Sequence, residues 1–386
     1  MAMLLAPLAF AVAWIYVTVT NARALREWRK SQEHWAERAR ILYPIRVAAR
    51  LNIWMIPINC VLIAYVFWTE NEAMLAAVFV LALMGATLAT YRFDKELFPR
   101  FTFRGWLWSV MISLTFRLGF LGGFIMVMVF MPGVFGWGTA VAGVVLVIYL
   151  VAQHFGLWIW LLQKARVLVP APRRLVEVAR KVSEQTQIRF RTVWLLETPV
   201  GYAAALPMTG DMIFSEGVLF TLPDEGIAAI CAHELAHLNE SRGTLTLRVL
   251  TSMWVLPMAF IWPVENTFGL NGVLVLLLIV LLLIIAARKI ARKMEERADA
   301  VGKNYEPEPG VYAAALEQLY EMNQMPAVMP QKRNIHPHLY DRILAAGITP
   351  DYPRPEAPEK MDGHGTLMST CLGLLVVFSV VKYMHH

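Results

Sequence analysis

Eight predominantly apolar stretches, near 1–20, 51–69, 73–91, 106–131, 138–163, 247–264, 271–287 and 366–382, constrain this chain more than any other feature. A helix of about 20 apolar residues crosses the ~30 Å hydrocarbon core of a bilayer, and satisfies its own backbone polar groups while doing so. The expected architecture is therefore mostly α, a polytopic membrane protein with about eight transmembrane helices. Bulk composition agrees, at 58% hydrophobic and 17% charged. The first stretch has no basic residues ahead of it and no convincing small-residue cleavage site, so it reads as a retained anchor rather than a cleaved signal.

The cations give the spans an orientation. Of 35 Lys and Arg, all but Arg117 and Lys382 fall in 22–50, 92–105, 164–248 and 288–365, four segments that eight spans place on one side. The opposite loops, TENE at 69–72, PGVFGWG at 132–138 and VENTFGLN at 264–271, carry none. Positive segments are retained in the cytoplasm, so the four polar segments are expected there. The net charge of +6 then describes topology, and no nucleic-acid partner is needed to explain it. Cys60, Cys231 and Cys371 are scattered without CxxC or paired spacing, which indicates neither a disulfide framework nor a cysteine metal site.

Two polar segments are long enough to fold outside the bilayer. The expected division is a membrane domain over 1–163, a catalytic segment over 164–246, a transmembrane hairpin over 247–287, a second catalytic segment over 288–365 and a last span over 366–386. In the first polar segment, Leu175, Val176, Val178, Ala179 and Val182 form a helical stripe, IRFRTVWLLE at 188–197 reads as a strand, and two short extended pieces flank the turn at 208–211. A helix is expected after Thr221, opened by Pro223, Asp224 and Glu225, running to about Glu240 and half buried near the membrane surface.

That helix carries CAHELAHLNE. His233 and His237 stand four residues apart and so share a helix face, with Glu234 beside them. This is the HExxH pattern, in which two imidazoles hold zinc and the glutamate acts on water. A lone helical His is usually a satisfied core residue, but two His and a Glu in one apolar turn are costly to bury without partners. Zinc requires a third protein ligand and an open position for water. Glu295, in RKIARKMEERADAVG after the seventh stretch, is the best candidate, and Asp299 lies one helical turn beyond it. A solvated charged face is the plain alternative for an isolated Glu in such a run.

These residues resemble the CAAX prenyl protease and HtpX-like group of integral-membrane zinc metallopeptidases over roughly 164–345. The likeness lies in His233-Glu234-Leu235-Ala236-His237, in Glu295-Glu296-Arg297-Ala298-Asp299, and in a late His-Pro followed by Arg, here His336, Pro337 and Arg342. The resemblance implies a small α+β zincin-like catalytic domain with one Zn2+ held by His233, His237 and Glu295. It makes Glu234 the general base, Asp299 a partner of a ligand imidazole, His336 an oxyanion donor, and Arg342 a residue that orients His336 or the substrate. His338 ranks below His336, which alone immediately precedes the proline. Five spans before HExxH resemble the CAAX prenyl protease branch. Gly201 and Tyr202 depart from the Asn-Ala pair common in the family, as does a span after the catalytic segments.

Ala203, Ala204 and Ala205 form an extended piece that suits an edge strand able to receive a peptide, or an ordinary core strand. The expected partners are a membrane-associated peptide or protein substrate and the lipid bilayer; the residues indicate no oligomeric state. Arg117, Gln153 and His154, inside spans, face a bundle interior or water-filled cavity, and the basic, Trp-bearing stretch 22–40 suits a membrane surface. Two rivals stand beside a zinc endopeptidase. An intramembrane site-2 enzyme, with Asp362-Gly363 as third ligand, would place HExxH inside a span. A metallopeptidase-like sensor or scaffold would normally carry a large domain on the far side, where this chain has only short loops.

Overall fold

In the computed structural model, residues 4–68, 70–113, 130–306, 308–330 and 337–361 are described, with 363, 367–368, 371–373 and 375 beyond them. Among them, five helices are long and apolar enough to cross a membrane: Leu5–Lys30, Trp35–Phe67, Glu72–Leu97, Trp137–His154 and Ile261–Asn304. The first two are α1 (Leu5–Lys30) and α2 (Trp35–Phe67), and the third comprises α3 (Glu72–Ala89) and α4 (Tyr91–Leu97). Small residues line the contacts in this group, with Ala6, Ala9, Ala13 and Val17 buried against Val78, Ala82 and Ala86. The stretch at 138–163 forms α5 (Trp137–His154) and α6 (Leu157–Lys164), separated by a turn at 155–156. Gln153 and His154 thus end a helix instead of lying within one. Arg117 and most of the stretches 106–131 and 366–382 lie outside the described residues.

The first polar segment builds a four-stranded sheet and three helices. They are β1 (Leu168–Pro170), α7 (Arg173–Thr186), β2 (Thr192–Leu196), β3 (Ala203–Leu206), β4 (Asp211–Ser215), α8 (Glu216–Thr221) and α9 (Asp224–Leu238). The strand order is β1-β2-β4-β3, with β2 parallel to β4 and the other pairs antiparallel. All five residues of β4 are buried, its two polar ones with partners. Asp211 accepts from Arg191 Nε (2.9 Å) and Nη2 (2.5 Å), and Ser215 Oγ accepts from the Tyr202 amide (2.8 Å) and caps α8 at the Val218 amide (3.4 Å). β3 lies at the end of the sheet, so one side of its backbone has no strand neighbour among the described residues.

α9 differs from expectation in its burial. From Gly226 to Ala236 every residue but Ala228 is buried, where the sequence predicts a half-buried helix. The reason is that α7, β3 and helices from the second polar segment surround it. On α7, Leu175, Ala179 and Val182 recur at helical spacing and supply one wall of this core.

The chain continues through α10 (Arg242–Ser252), α11 (Val255–Ala259), α12 (Ile261–Asn304), α13 (Val311–Met322) and α14 (Leu339–Ala345). The stretch expected as one span at 247–264 is therefore three helical pieces, broken at 253–254 and at Phe260. Pro257, in the middle piece, has no amide hydrogen to continue a helical ladder. α12 bends at Gly269, whose φ of 60° and ψ of −156° suit only a residue without Cβ. Beyond it, residues 270–304 reach about 50 Å at ~1.5 Å per residue, more than the bilayer core requires. Leu270, Leu274, Val275, Leu278 and Leu282 are exposed along this stretch, a surface that water would not tolerate on this scale. The same helix then delivers Glu295 and Asp299, so the expected boundary at 287/288 falls inside a continuous helix.

Gly217 sets the approach of α8 to the loop before β3. A Cβ there would stand 2.4 Å from the Pro199 carbonyl oxygen and 2.8 Å from its carbon, while the Gly217 amide donates to Thr198 O at 3.0 Å. Both obstacles are backbone. Gly217→Ala is expected to destabilise the protein by about 1–3 kcal/mol, read as a lower Tm in detergent; an unchanged Tm would show that the loop relaxes freely.

Candidate metal centre

α9 places His233 and His237 on one face, and α12 brings Glu295 against both. His233 Nε2 lies 3.6 Å from Glu295 Oε2, and His237 Nε2 lies 3.7 Å from Glu295 Oε1. One donor atom from each of the three residues falls within 4.8 Å of the others. Donors about 2.0–2.1 Å from a tetrahedral ion stand about 3.4 Å apart. Two imidazole nitrogens and a carboxylate oxygen at nearly that spacing fit a small divalent ion, and the imidazole rings, 81° apart, present separate lone pairs. Glu234, on the same turn of α9, is buried beside them with 8% of its surface exposed.

The other nitrogen of each imidazole meets an acid. His233 Nδ1 is 3.2 Å from Asp299 Oδ1, and His237 Nδ1 is 3.2 Å from Glu240 Oε1. Such contacts hold a ring in the tautomer that turns Nε2 toward a metal. Burial lowers the pKa of His233, but hydrogen bonds to Asp299 and Glu295 outweigh it and raise the imidazole to about 9. A proton and a metal ion therefore compete for this ring.

Two further residues complete the His233 side. The Tyr312 hydroxyl, on α13, donates to Asp299 Oδ1 (2.8 Å), accepts from Arg342 Nη2 (2.9 Å) and lies 2.8 Å from His233 Nδ1. Arg342, on α14, also pairs with Asp299 through Nη2. Burial tends to raise the Asp299 pKa, yet the His233 hydrogen bond and the Arg342 guanidinium bring it below its ordinary value.

His233, His237, Glu295 and Asp299 thus come together with Glu234 buried beside them, as the family resemblance implies, whereas Arg342 meets Asp299 and Tyr312. His336 lies outside the described residues. His338 accepts from the Met329 amide (3.1 Å). Ala203, Ala204 and Ala205 pair with Phe214, Ile213 and Met212 on the edge strand β3, which packs against α9. Sequence reasoning misses Glu240 and Tyr312. Glu240 stands three residues beyond His237 and was open to the same helical-spacing argument; Tyr312 carries no motif and is visible only in three dimensions.

Residues 172–347 match Peptidase family M48. The M48 segment runs from the start of α7 to just beyond α14 and contains every residue of the cluster. M48 peptidases depend on a metal, so the match supports a metallopeptidase and agrees with the His-His-Glu group.

Tyr312→Phe keeps the ring and removes the hydroxyl that joins His233, Asp299 and Arg342. We expect about 10-fold weaker metal binding for it, and a 10- to 100-fold loss for Asp299→Ala, by chelator-competition titration. Wild-type affinity in both variants would remove these residues from the support of the ligands.

Proposed function

We propose that this protein is a zinc-dependent integral-membrane endopeptidase that hydrolyses peptide bonds of membrane-associated polypeptides. The observation that carries the proposal is the convergence of both Nε2 atoms on Glu295, with Glu234 on the same turn, inside an M48 segment. His233, His237 and Glu295 would hold a zinc ion, which would supply Lewis acidity toward water and the scissile carbonyl. Glu234 takes the proton that water loses on attack and passes it to the departing amine. Asp299 and Tyr312 hold His233 in register, and Glu240 does the same for His237. The open backbone edge of β3 at Ala203, Ala204 and Ala205 pairs with an extended peptide and aligns its main chain. His336 is assigned to the oxyanion from its place before Pro337 and its likeness to the CAAX prenyl protease and HtpX-like group.

In this proposal the polar segments 164–246 and 288–365 form one catalytic unit, attached to membrane segments 1–163, 247–287 and 366–386. The cation distribution supports a cytoplasmic side for that unit. The helices that bear Glu234 and Glu295 keep the site close to the bilayer, which favours substrates held at or in it.

The test uses the full chain, purified in detergent, with metal content and cleavage of a peptide panel measured together. Glu234→Gln is expected to retain stoichiometric zinc and lose at least ~100-fold in cleavage, while Glu295→Ala loses both. A chelator should abolish wild-type cleavage and added zinc restore it. Zinc bound without cleavage across the panel would favour a sensor or scaffold, and Glu234→Gln cutting like wild type would end the general-base assignment.

A further inference from the structure

A cavity of about 340 Å³ lies apart from the metal centre, between α2, α3, α4 and the helix over 103–113. Its volume is that of a small-molecule site. The ionisable residues lining it are Arg46, Arg50 and Asp94, set among aromatic walls that include Trp54, Phe98 and Trp106. Thr87, Thr90, Ser109 and Ser113 also border it.

The cavity sits where apolar stretches begin. Arg46 and Arg50 lie on α2 just before the stretch at 51–69, and Trp106 opens the one at 106–131. Aromatic side chains and cations at that level mark a membrane interface, and basic pockets between membrane helices there receive lipid head groups. Arg46 and Arg50 are one helical turn apart, so their like charges share a face. Asp94 is the single carboxylate in the lining, and its Oδ2 accepts from Trp106 Nε1 at 2.8 Å. The formal charge of the lining is thus positive by one unit, which a phosphodiester neutralises. Arg46 is also fixed in place: Nη1 donates to Asn323 O (2.5 Å) and Gln324 O (2.9 Å).

We propose that this cavity binds the phosphodiester head group of an anionic phospholipid, with Arg46 and Arg50 facing the phosphate and the aromatic walls taking the glycerol and upper acyl chain. Bound lipid would also brace the catalytic unit. Val200 lines the same cavity, and Asn323, held by Arg46, clamps the neighbouring Gly201 through its amide (2.9 Å) and carbonyl (2.8 Å) just before β3.

The experiment takes the full chain, delipidated in a neutral detergent, and measures Tm with phosphatidylglycerol, phosphatidylcholine or soluble glycerol phosphate, for wild type, Arg50→Gln and Arg50→Lys. Native mass spectrometry counts retained lipid. Phosphatidylglycerol is expected to raise the wild-type Tm by about 4 °C at saturation, with one molecule retained per chain. Phosphatidylcholine should give less than half that rise, Arg50→Gln should lose the difference, and Arg50→Lys should keep most of it. Equal shifts from the two lipids, or an undiminished phosphatidylglycerol shift in Arg50→Gln, would overturn the site. A shift from glycerol phosphate as large as the lipid's would overturn its assignment to lipid. The wild-type comparisons decide the question even if Arg50→Gln fails to fold.

Discussion

The packing of α9 along α12 is the contact on which the rest depends. His233 and His237 belong to one helix and Glu295 to the other, and the chain between them runs through α10 and α11 before returning along α12. Ala232 and Ala236 on α9 and Ala298 on α12, next to the cluster residues in sequence, are buried. Without that crossing, His233 and Glu295 would lose each other, and His233 would also lose Asp299.

The cluster's burial explains why its polar contacts extend outward. A ligand imidazole removed from water needs a partner for the nitrogen that does not face the metal. Asp299 meets that need for His233, and Arg342 and Tyr312 in turn hold Asp299. Glu240 meets it for His237 and lies 3.8 Å from Arg248 on α10. Each side of the centre is thus anchored to different elements, α13 and α14 on one side and α10 on the other.

Membrane helices and polar segments are joined by continuous structure. α12 carries apolar surface and metal-centre residues in one helix, and α2 reaches the α13 terminus through Arg46. The His34 ring stacks on Tyr352 at 4.5 Å, adding a second contact between the N-terminal helices and the last part of the polar segment. These contacts tie the long apolar helices to the segment that carries the His-His-Glu cluster.

Much of this was legible in the residues. Apolar length marked the parts of the long helices near 5–20, 51–67, 73–91 and 138–154 but not their extensions through 22–30 and 35–50, which belong to a polar segment; strand-like runs marked β2, β3 and β4, a helical stripe marked α7, and fourfold spacing marked the His pair on α9. These features are local, set by side chains a few positions apart on one element. What the residues did not show is non-local. The break of 247–264 into three pieces, the continuity of α12 across 287/288, the near-complete burial of α9 and the edge position of β3 all depend on which elements pack together. Tyr312 makes the point most clearly: an unremarked tyrosine in an amphipathic helix touches three functional side chains because α13 folds against α9 and Arg342 arrives from α14. The sequence by itself determined the helices long and apolar enough to cross a membrane and the candidate metal-binding donors, since those follow from length, periodicity and chemistry. Only the tertiary structure decided how the donors meet and what holds them, because distances between side chains remote in the chain are set by packing.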